Sequence, residues 1–203
     1  MTLLLETVTG RLVDVSNPDP DTICIDDIAW GCSRIPRFCG QTITAVPYNV
    51  AQHSVFVAEE VEHMLCAEKS DDILHTHVDV VLAALLHDGA ECYTGDWPSP
   101  VKHLPELHPI IKRIEDGLMK AIYIKLGVPI PTEYEYGLIK RADKIAQKIE
   151  AHAFMQSRGK GWPELPEVSL ARLQQFATPM DSLSAYNLFM DKFNSLMKER
   201  TKY

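Results

Sequence analysis

The 203-residue sequence predicts an all-α fold, a helical bundle with a small β hairpin or strand at its N-terminus. Three observations predict it. Apolar residues recur at helical spacing along several long segments, as in Ile111, Ile114, Leu118, Ile122 and Leu126. Residues that cap helices stand where such segments begin, namely Asn49 with Gln52, Thr132 with Glu135, and Asp181. The most apolar run, Val80-Val81-Leu82-Ala83-Ala84-Leu85-Leu86, is rich in alanine and flanked by polar residues, which suits a buried helix better than a strand.

Taken in chain order, residues 7–15 alternate weakly and are rich in β-branched side chains, and Asn17-Pro18-Asp19-Pro20-Asp21 is a turn signal. A strand or hairpin in an N-terminal extension, residues 1–25, is the expectation. Residues 26–35 read as a short helix begun by Asp26 or Asp27, followed by an irregular stretch from Pro36 to Pro47. A capping box at Asn49 and Gln52 opens a helix that runs to Leu65. Residues 77–92 read as one buried central helix, ended by Gly95, Pro98 and Pro100. Pro109 suits a helix's first turn and Gly127 its C-cap. Thr132 and Glu135 then start a helix reaching Ser157, with Leu138, Ile139, Ala142, Ile145, Ala146 and Ile149 inward. Residues 159–166 form a loop, and Asp181 caps a final helix to residue 199 bearing Leu183, Tyr186, Phe189, Phe193 and Leu196. The chain reads as one domain, 1–203, with its core in residues 26–157.

Composition narrows the function classes. A net charge of −8 and a pI near 5.4 argue against sequence-independent binding to a nucleic-acid polymer, which needs a basic face. A small anion remains compatible, because a metal and one or two local cations can hold a phosphate in an acidic protein. The five cysteines, at 24, 32, 39, 66 and 92, are odd in number and lack a Cys-x-x-Cys pair; buried free thiols in a reducing compartment are expected. Leu3 to Leu5 is too short for a signal segment and no apolar run approaches a membrane span, so a cytoplasmic protein without membrane attachment is the expectation.

Polar residues interrupt apolar helical faces at three places. His53 lies one turn inside its helix, His87-Asp88 closes the most apolar run, and Asp143 sits between Ile139 and Ala146 on an inward face. Each alone has an ordinary explanation: a hydrogen-bonded histidine, a common dipeptide, an ion pair of Asp143 with Lys140, Arg141, Lys144 or Lys148. Together, two imidazoles and two carboxylates from three helices are a sound ligand set for one divalent cation with open positions. Glu91, three residues after Asp88 and four after His87, shares their helix face and is placed to move a proton beside the ion.

The pattern His53, His87-Asp88, Asp143 resembles the HD-domain phosphohydrolase superfamily. More narrowly, Leu85-Leu86-His87-Asp88-Gly89-Ala90-Glu91 followed by Thr94-Gly95-Asp96-Trp97-Pro98-Ser99-Pro100-Val101-Lys102 resembles the 5′-deoxynucleotidases of the YfbR type. Arg37-Phe38 ahead of Asn49-Val50-Ala51-Gln52-His53-Ser54 matches the same group. Thr9-Gly10-Arg11 and Asn17 to Ala29 resemble a phage and bacterial branch of it that includes phage dATP triphosphohydrolases.

The resemblance implies that His53, His87, Asp88 and Asp143 hold the metal, one of Co²⁺, Mn²⁺, Zn²⁺ or Mg²⁺. It implies that Glu91 is the general acid/base, that Arg37 stabilises charge on the phosphoryl group, and that Lys102 holds phosphate. Asp96 would accept from the sugar hydroxyl, with Ser99, Pro100, Val101 and Lys102 lining that pocket and Phe38, His53 and Asp143 completing the substrate contacts. Phe38 departs from the group's Trp, which changes the wall that tests for a 2′-hydroxyl. A homo-oligomer, dimer or hexamer, is also implied, and a host cytoplasm if the gene is a phage's.

The activity expected first is a dATP or dNTP triphosphohydrolase, releasing triphosphate by water attack on the α-phosphorus; a 5′-deoxynucleotidase acting on monophosphates is the alternative. A non-enzymatic nucleotide-binding regulator is a third possibility, disfavoured because a sensor needs no Glu91. A ppGpp-type hydrolase would carry an acidic pair where Glu91-Cys92 stands. Outside the motif, His75 and His77 read as surface residues and Cys92 as core.

Overall fold

The computed structural model describes residues 3–67, 74–162, 165–173 and 178–202. Strands β1 (Leu4–Glu6) and β2 (Leu12–Asp14) pair antiparallel with Leu5 opposite Val13. Strand β2 lies inside the stretch 7–15 whose alternation marked a strand, and β1 precedes it. Residues 7–11 are the turn, closed by the Thr7 amide donating to the Arg11 carbonyl at 2.9 Å, with Gly10 at φ +80°.

The helices are α1 (Ile25–Arg34), α2 (Val50–Ala67), α3 (Leu74–Leu86), α4 (Glu91–Thr94), α5 (Ser99–Lys102), α6 (His108–Leu126), α7 (Glu133–Phe154), α8 (Leu170–Leu173) and α9 (Ser182–Arg200). The predominance of helix with one small hairpin is the architecture the sequence predicts. Helix α2 packs against α1, α3, α7 and α9, and the core runs through Val57, Val61, Leu82, Leu85, Ala142, Ala146 and Phe189. Among the described residues no helix is long and apolar enough to cross a membrane.

Cap chemistry explains most boundaries. Thr132 and Glu135 form the reciprocal box at α7, and the Asp181 carboxylate accepts from the Leu183 and Ser184 amides at α9. Asn49 accepts from the Gln52 amide at 3.0 Å, but Gln52 reaches back to the Asn49 side chain rather than its backbone amide; its Oε1 takes Asn49 Nδ2 at 3.2 Å and the Met180 amide at 2.9 Å, tying the start of α2 to the approach of α9. Neither Asp26 nor Asp27 caps α1, whose N-cap is Cys24. Both lie in its first turn, where the helix dipole favours an anion. Asp27 instead accepts from the Thr7 and Thr9 hydroxyls and the Thr9 amide at 2.8–2.9 Å, holding the hairpin turn to the bundle.

One boundary corrects the sequence reading. The helix predicted over residues 77–92 stops at Leu86, and residues 87–90 form a tight turn before α4. Here the Gly89 amide donates to Leu86 O at 2.7 Å and the Glu91 amide to Asp88 O at 3.0 Å. A side chain at Gly89 would meet the Leu86 carbonyl at 2.9 Å, so the glycine permits the turn.

The cysteines are free, with Cys32 buried, Cys24 and Cys92 half-buried, and Cys39 and Cys66 exposed. Burial therefore holds in full for Cys32 alone, while Cys92 packs against the core from its edge. Cys92 also meets α1 at Gly31, where a Cβ would come within 2.5 Å of the Cys92 Cβ. Gly31→Ala must push α1 and α4 apart, and is expected to cost about 1–3 kcal/mol of unfolding free energy, the usual range for overpacking. Urea unfolding measures it; an unchanged midpoint would mean the two helices do not approach this closely.

Candidate active site

The first turn of α2, the turn that follows α3 and the inward face of α7 bring four ligand-type side chains close together. His53, fully buried on α2, has Nε2 3.2 Å from Asp143 Oδ1 and 3.5 Å from Asp88 Oδ2. His87 Nε2 lies 3.3 Å from the same Asp88 oxygen. Donor atoms of His53, His87 and Asp143 all fall within 4.8 Å of one another.

Each imidazole uses its other nitrogen elsewhere: His53 Nδ1 faces Glu150 Oε1 at 2.7 Å, and His87 Nδ1 faces the Ala84 carbonyl at 2.8 Å. Both Nε2 atoms are buried and lack a hydrogen-bond partner among the described residues. Buried polar atoms seldom stay orphaned, and two of them converging with two carboxylates fit a divalent cation.

Electrostatics agrees with that fit. Burial and the nearby Arg37 oppose a charged His53, yet Glu150 and Asp143 outweigh them and push its pKa up to about 10. Burial would raise Asp88, but His87, His53 and Arg37 hold it well below the ordinary carboxylate range. A site that draws a proton onto a buried imidazole is one that attracts positive charge, and metal binding would displace that proton.

Arg37 enters from a turn with unusual backbone. Phe38 and Cys39 have φ of 55° and 53°, and the turn is pinned by the Arg37 amide donating to Tyr48 O at 2.8 Å. Consecutive left-handed residues other than glycine are strained, and here they directly follow Arg37, whose side chain is buried in the site. Its Nη1 lies 3.7 Å from Asp88 and 3.9 Å from Asp96, and its Nη2 3.5 Å from Glu150.

Glu91, at the start of α4, is 6% exposed, and its Oε2 has no partner. Burial, then the charges of Asp88 and Asp96, raise its pKa well above the ordinary value, so it holds a proton readily. Burial raises Asp96 as well, against the pull of Arg37.

These groups border a cavity of about 850 Å³, large enough for a nucleotide. Arg37, Phe38, His87, Asp88, Glu91, Asp96, Ser99 and Lys102 line one side; Tyr123, Tyr136, Lys140, Asp143 and Lys144 of α6 and α7 line the other. Pro100 and Val101 are not on the lining, and His53 lies behind it. Lys102 reaches the cavity but pairs with Glu115 of α6 at 2.8 Å. Phe38 packs edge-on against Trp162, ring centres 5.7 Å apart.

His77 is half-buried rather than on the surface, and the side chain of His75 is outside the described residues. Sequence reasoning missed Glu150 and Glu115. For Glu150 a signal existed: it follows Asp143 by seven residues, two helical turns, and so lies on the same inward face.

The family model described as 5′-deoxynucleotidase YfbR-like matches residues 33–196. The Escherichia coli protein YfdR is 30% identical over 196 residues, covering 97% of each chain. A Rhodobacter capsulatus protein is 34% identical over 146 residues, 71% of this chain and 69% of its own. A Vibrio parahaemolyticus protein named 5′-deoxynucleotidase is 37% identical over 92 residues, 44% of this chain and 45% of its own.

Proposed function

The chain belongs to the YfbR-like 5′-deoxynucleotidase family of HD-domain phosphohydrolases, and from that premise we propose that it hydrolyses deoxynucleoside 5′-monophosphates to deoxynucleoside and phosphate. The observation that carries the reading is the pair of buried, unpartnered Nε2 atoms facing Asp88 and Asp143 at the cavity. His53, His87, Asp88 and Asp143 would hold one divalent cation, and their mixed nitrogen and oxygen donors suit Co²⁺, Mn²⁺ or Zn²⁺ better than Mg²⁺. A cation there supplies Lewis acidity, making water a nucleophile near neutral pH and offsetting phosphoryl charge.

The chain's own residues do the rest. Arg37 binds phosphoryl oxygens and follows their charge as the bond to the 5′-oxygen breaks. Glu91, whose pKa burial raises, gives its proton to the departing 5′-oxygen and regains one from the attacking water. Asp96 accepts from the sugar's hydroxyl, Ser99 and Phe38 form the wall around the sugar, and Lys102 shares its charge between Glu115 and phosphate. We read residues 1–203 as one domain whose N-terminal hairpin serves the bundle rather than the chemistry.

This revises the first expectation of a triphosphohydrolase. That preference rested on residues 9–29, which lie outside the family match at 33–196, and the Vibrio relative carries the monophosphate activity in its name. Incubated with Mn²⁺ or Co²⁺, the protein is expected to release phosphate from dAMP and to leave dATP unhydrolysed over the same time. Release of intact triphosphate from dATP, with dAMP untouched, would reverse the assignment.

A further inference from the structure

Glu150 has no part in the reaction as described, yet it is 1% exposed and its two oxygens face different parts of the site. Oε1 lies 2.7 Å from His53 Nδ1, and Oε2 lies 3.5 Å from Arg37 Nη2. We propose that Glu150 is a positioning residue with a separate task for each oxygen. Oε1 keeps a proton on His53 Nδ1, so that Nε2 presents its lone pair toward Asp88 and Asp143. Oε2 anchors the Arg37 guanidinium toward the phosphoryl site. The Arg37 half rests on the reading of Arg37 given above; the His53 half stands on the ligand cluster alone.

A neutral imidazole carries one N–H, and the acceptor it meets decides which nitrogen stays free. For His87 the backbone carbonyl of Ala84 makes that choice. Among the described residues no backbone carbonyl is paired with His53 Nδ1, and a carboxylate from α7, 97 residues on, takes the position. Burying a carboxylate this deeply is costly unless cations and donors surround it. Here the His53 ring nitrogen at 2.7 Å and the Arg37 guanidinium at 3.5 Å stand against its two oxygens. Arg37 has other acids near it, but Asp88 and Asp96 stand farther off at 3.7 and 3.9 Å and keep more solvent contact than Glu150. The carboxylate that fixes the guanidinium is thus also the one that orients a ligand of the cation.

Glu150→Gln separates the two tasks. A carboxamide has one acceptor oxygen; turned to the His53 N–H, it sets its NH₂ against the guanidinium. Cobalt affinity, read from visible absorption in a titration, is expected to stay within about three-fold in Glu150→Gln and to fall about 10–100-fold in Glu150→Ala. Turnover of dAMP at saturating cobalt is expected to drop about 10–100-fold in Glu150→Gln, because Arg37 loses its anchor. In an Arg37→Met background the same change is expected to cost less than about two-fold, since no guanidinium remains to be placed.

An equal loss in both backgrounds overturns the Arg37 half. Wild-type cobalt affinity in folded Glu150→Ala overturns the His53 half, whatever the substrate proves to be. If Glu150→Ala fails to fold by circular dichroism, long-range proton–nitrogen spectra of the Zn²⁺-loaded wild type decide that half. A proton on His53 Nδ1 supports it, and one on Nε2 overturns it. Absence of dAMP hydrolysis in the wild type would sink the proposed substrate while leaving both metal readouts in force.

Discussion

Asp88→Asn is expected to lower turnover by about 10³-fold or more, the scale on which losing metal-assisted activation of water is felt. One oxygen of Asp88 faces both unpartnered imidazoles, at 3.5 Å from His53 and 3.3 Å from His87, and stands 3.7 Å from Arg37. Asparagine keeps the shape but removes the charge that offsets a cation. The turn at 87–90 is held by backbone hydrogen bonds, so the fold should persist, and circular dichroism and the urea midpoint verify that it does. Initial rates on dAMP across a cobalt series make the measurement. If a folded Asp88→Asn protein keeps more than about a tenth of wild-type turnover, then Asp88 is not a ligand of the activating cation.

The second large effect is Glu91→Gln, expected to reduce kcat by about 10²–10⁴-fold, the range for a positioned acid or base. Cobalt affinity should not change, because among the described residues Glu91 forms no ion pair with His53, His87, Asp88 or Asp143. The pH dependence fixes which way the proton moves. Burial raises the Glu91 pKa above the ordinary carboxylate value, so its protonated form persists to higher pH than a free glutamate's and is lost as pH rises further. As a general acid it should give wild type an alkaline fall in kcat that Glu91→Gln lacks. An acidic limb that disappears instead would make Glu91 a base toward the attacking water. A Gln variant with unaltered kcat would remove it from the chemistry.

Much of this was legible in the sequence, for a physical reason. Helical periodicity and caps are local, so the stripe from Ile111 to Leu126, the box at Thr132 and Glu135, and the Asp181 cap appear in the structure where the residues place them. The clustering of these side chains was legible because an ionisable residue on an otherwise apolar face needs a partner, and His53, His87-Asp88 and Asp143 share that property. What was hidden depends on contacts remote in sequence. Glu150 sits in a segment with Lys140, Arg141, Lys144 and Lys148, where an acid looks solvated; only the fold brings it to His53 and Arg37. Lys102 looked like a free phosphate ligand until α6 supplied Glu115. The stop at Leu86 was masked because residues 77–92 keep helical composition, and a tight turn at Gly89 outweighs it. Substrate phosphorylation state is set by how the cavity is shaped, which no periodicity encodes.

The central claim is that four side chains from α2, α7 and the turn after α3 hold a single divalent ion. Anomalous diffraction from cobalt-soaked crystals, collected on both sides of the cobalt edge, tests it without reference to any substrate. The expected result is one strong peak per chain, about 2.0–2.3 Å from Nε2 of His53 and His87 and from a carboxylate oxygen of Asp88 and Asp143. A peak bound elsewhere, or an empty cluster at saturating cobalt, would contradict the account.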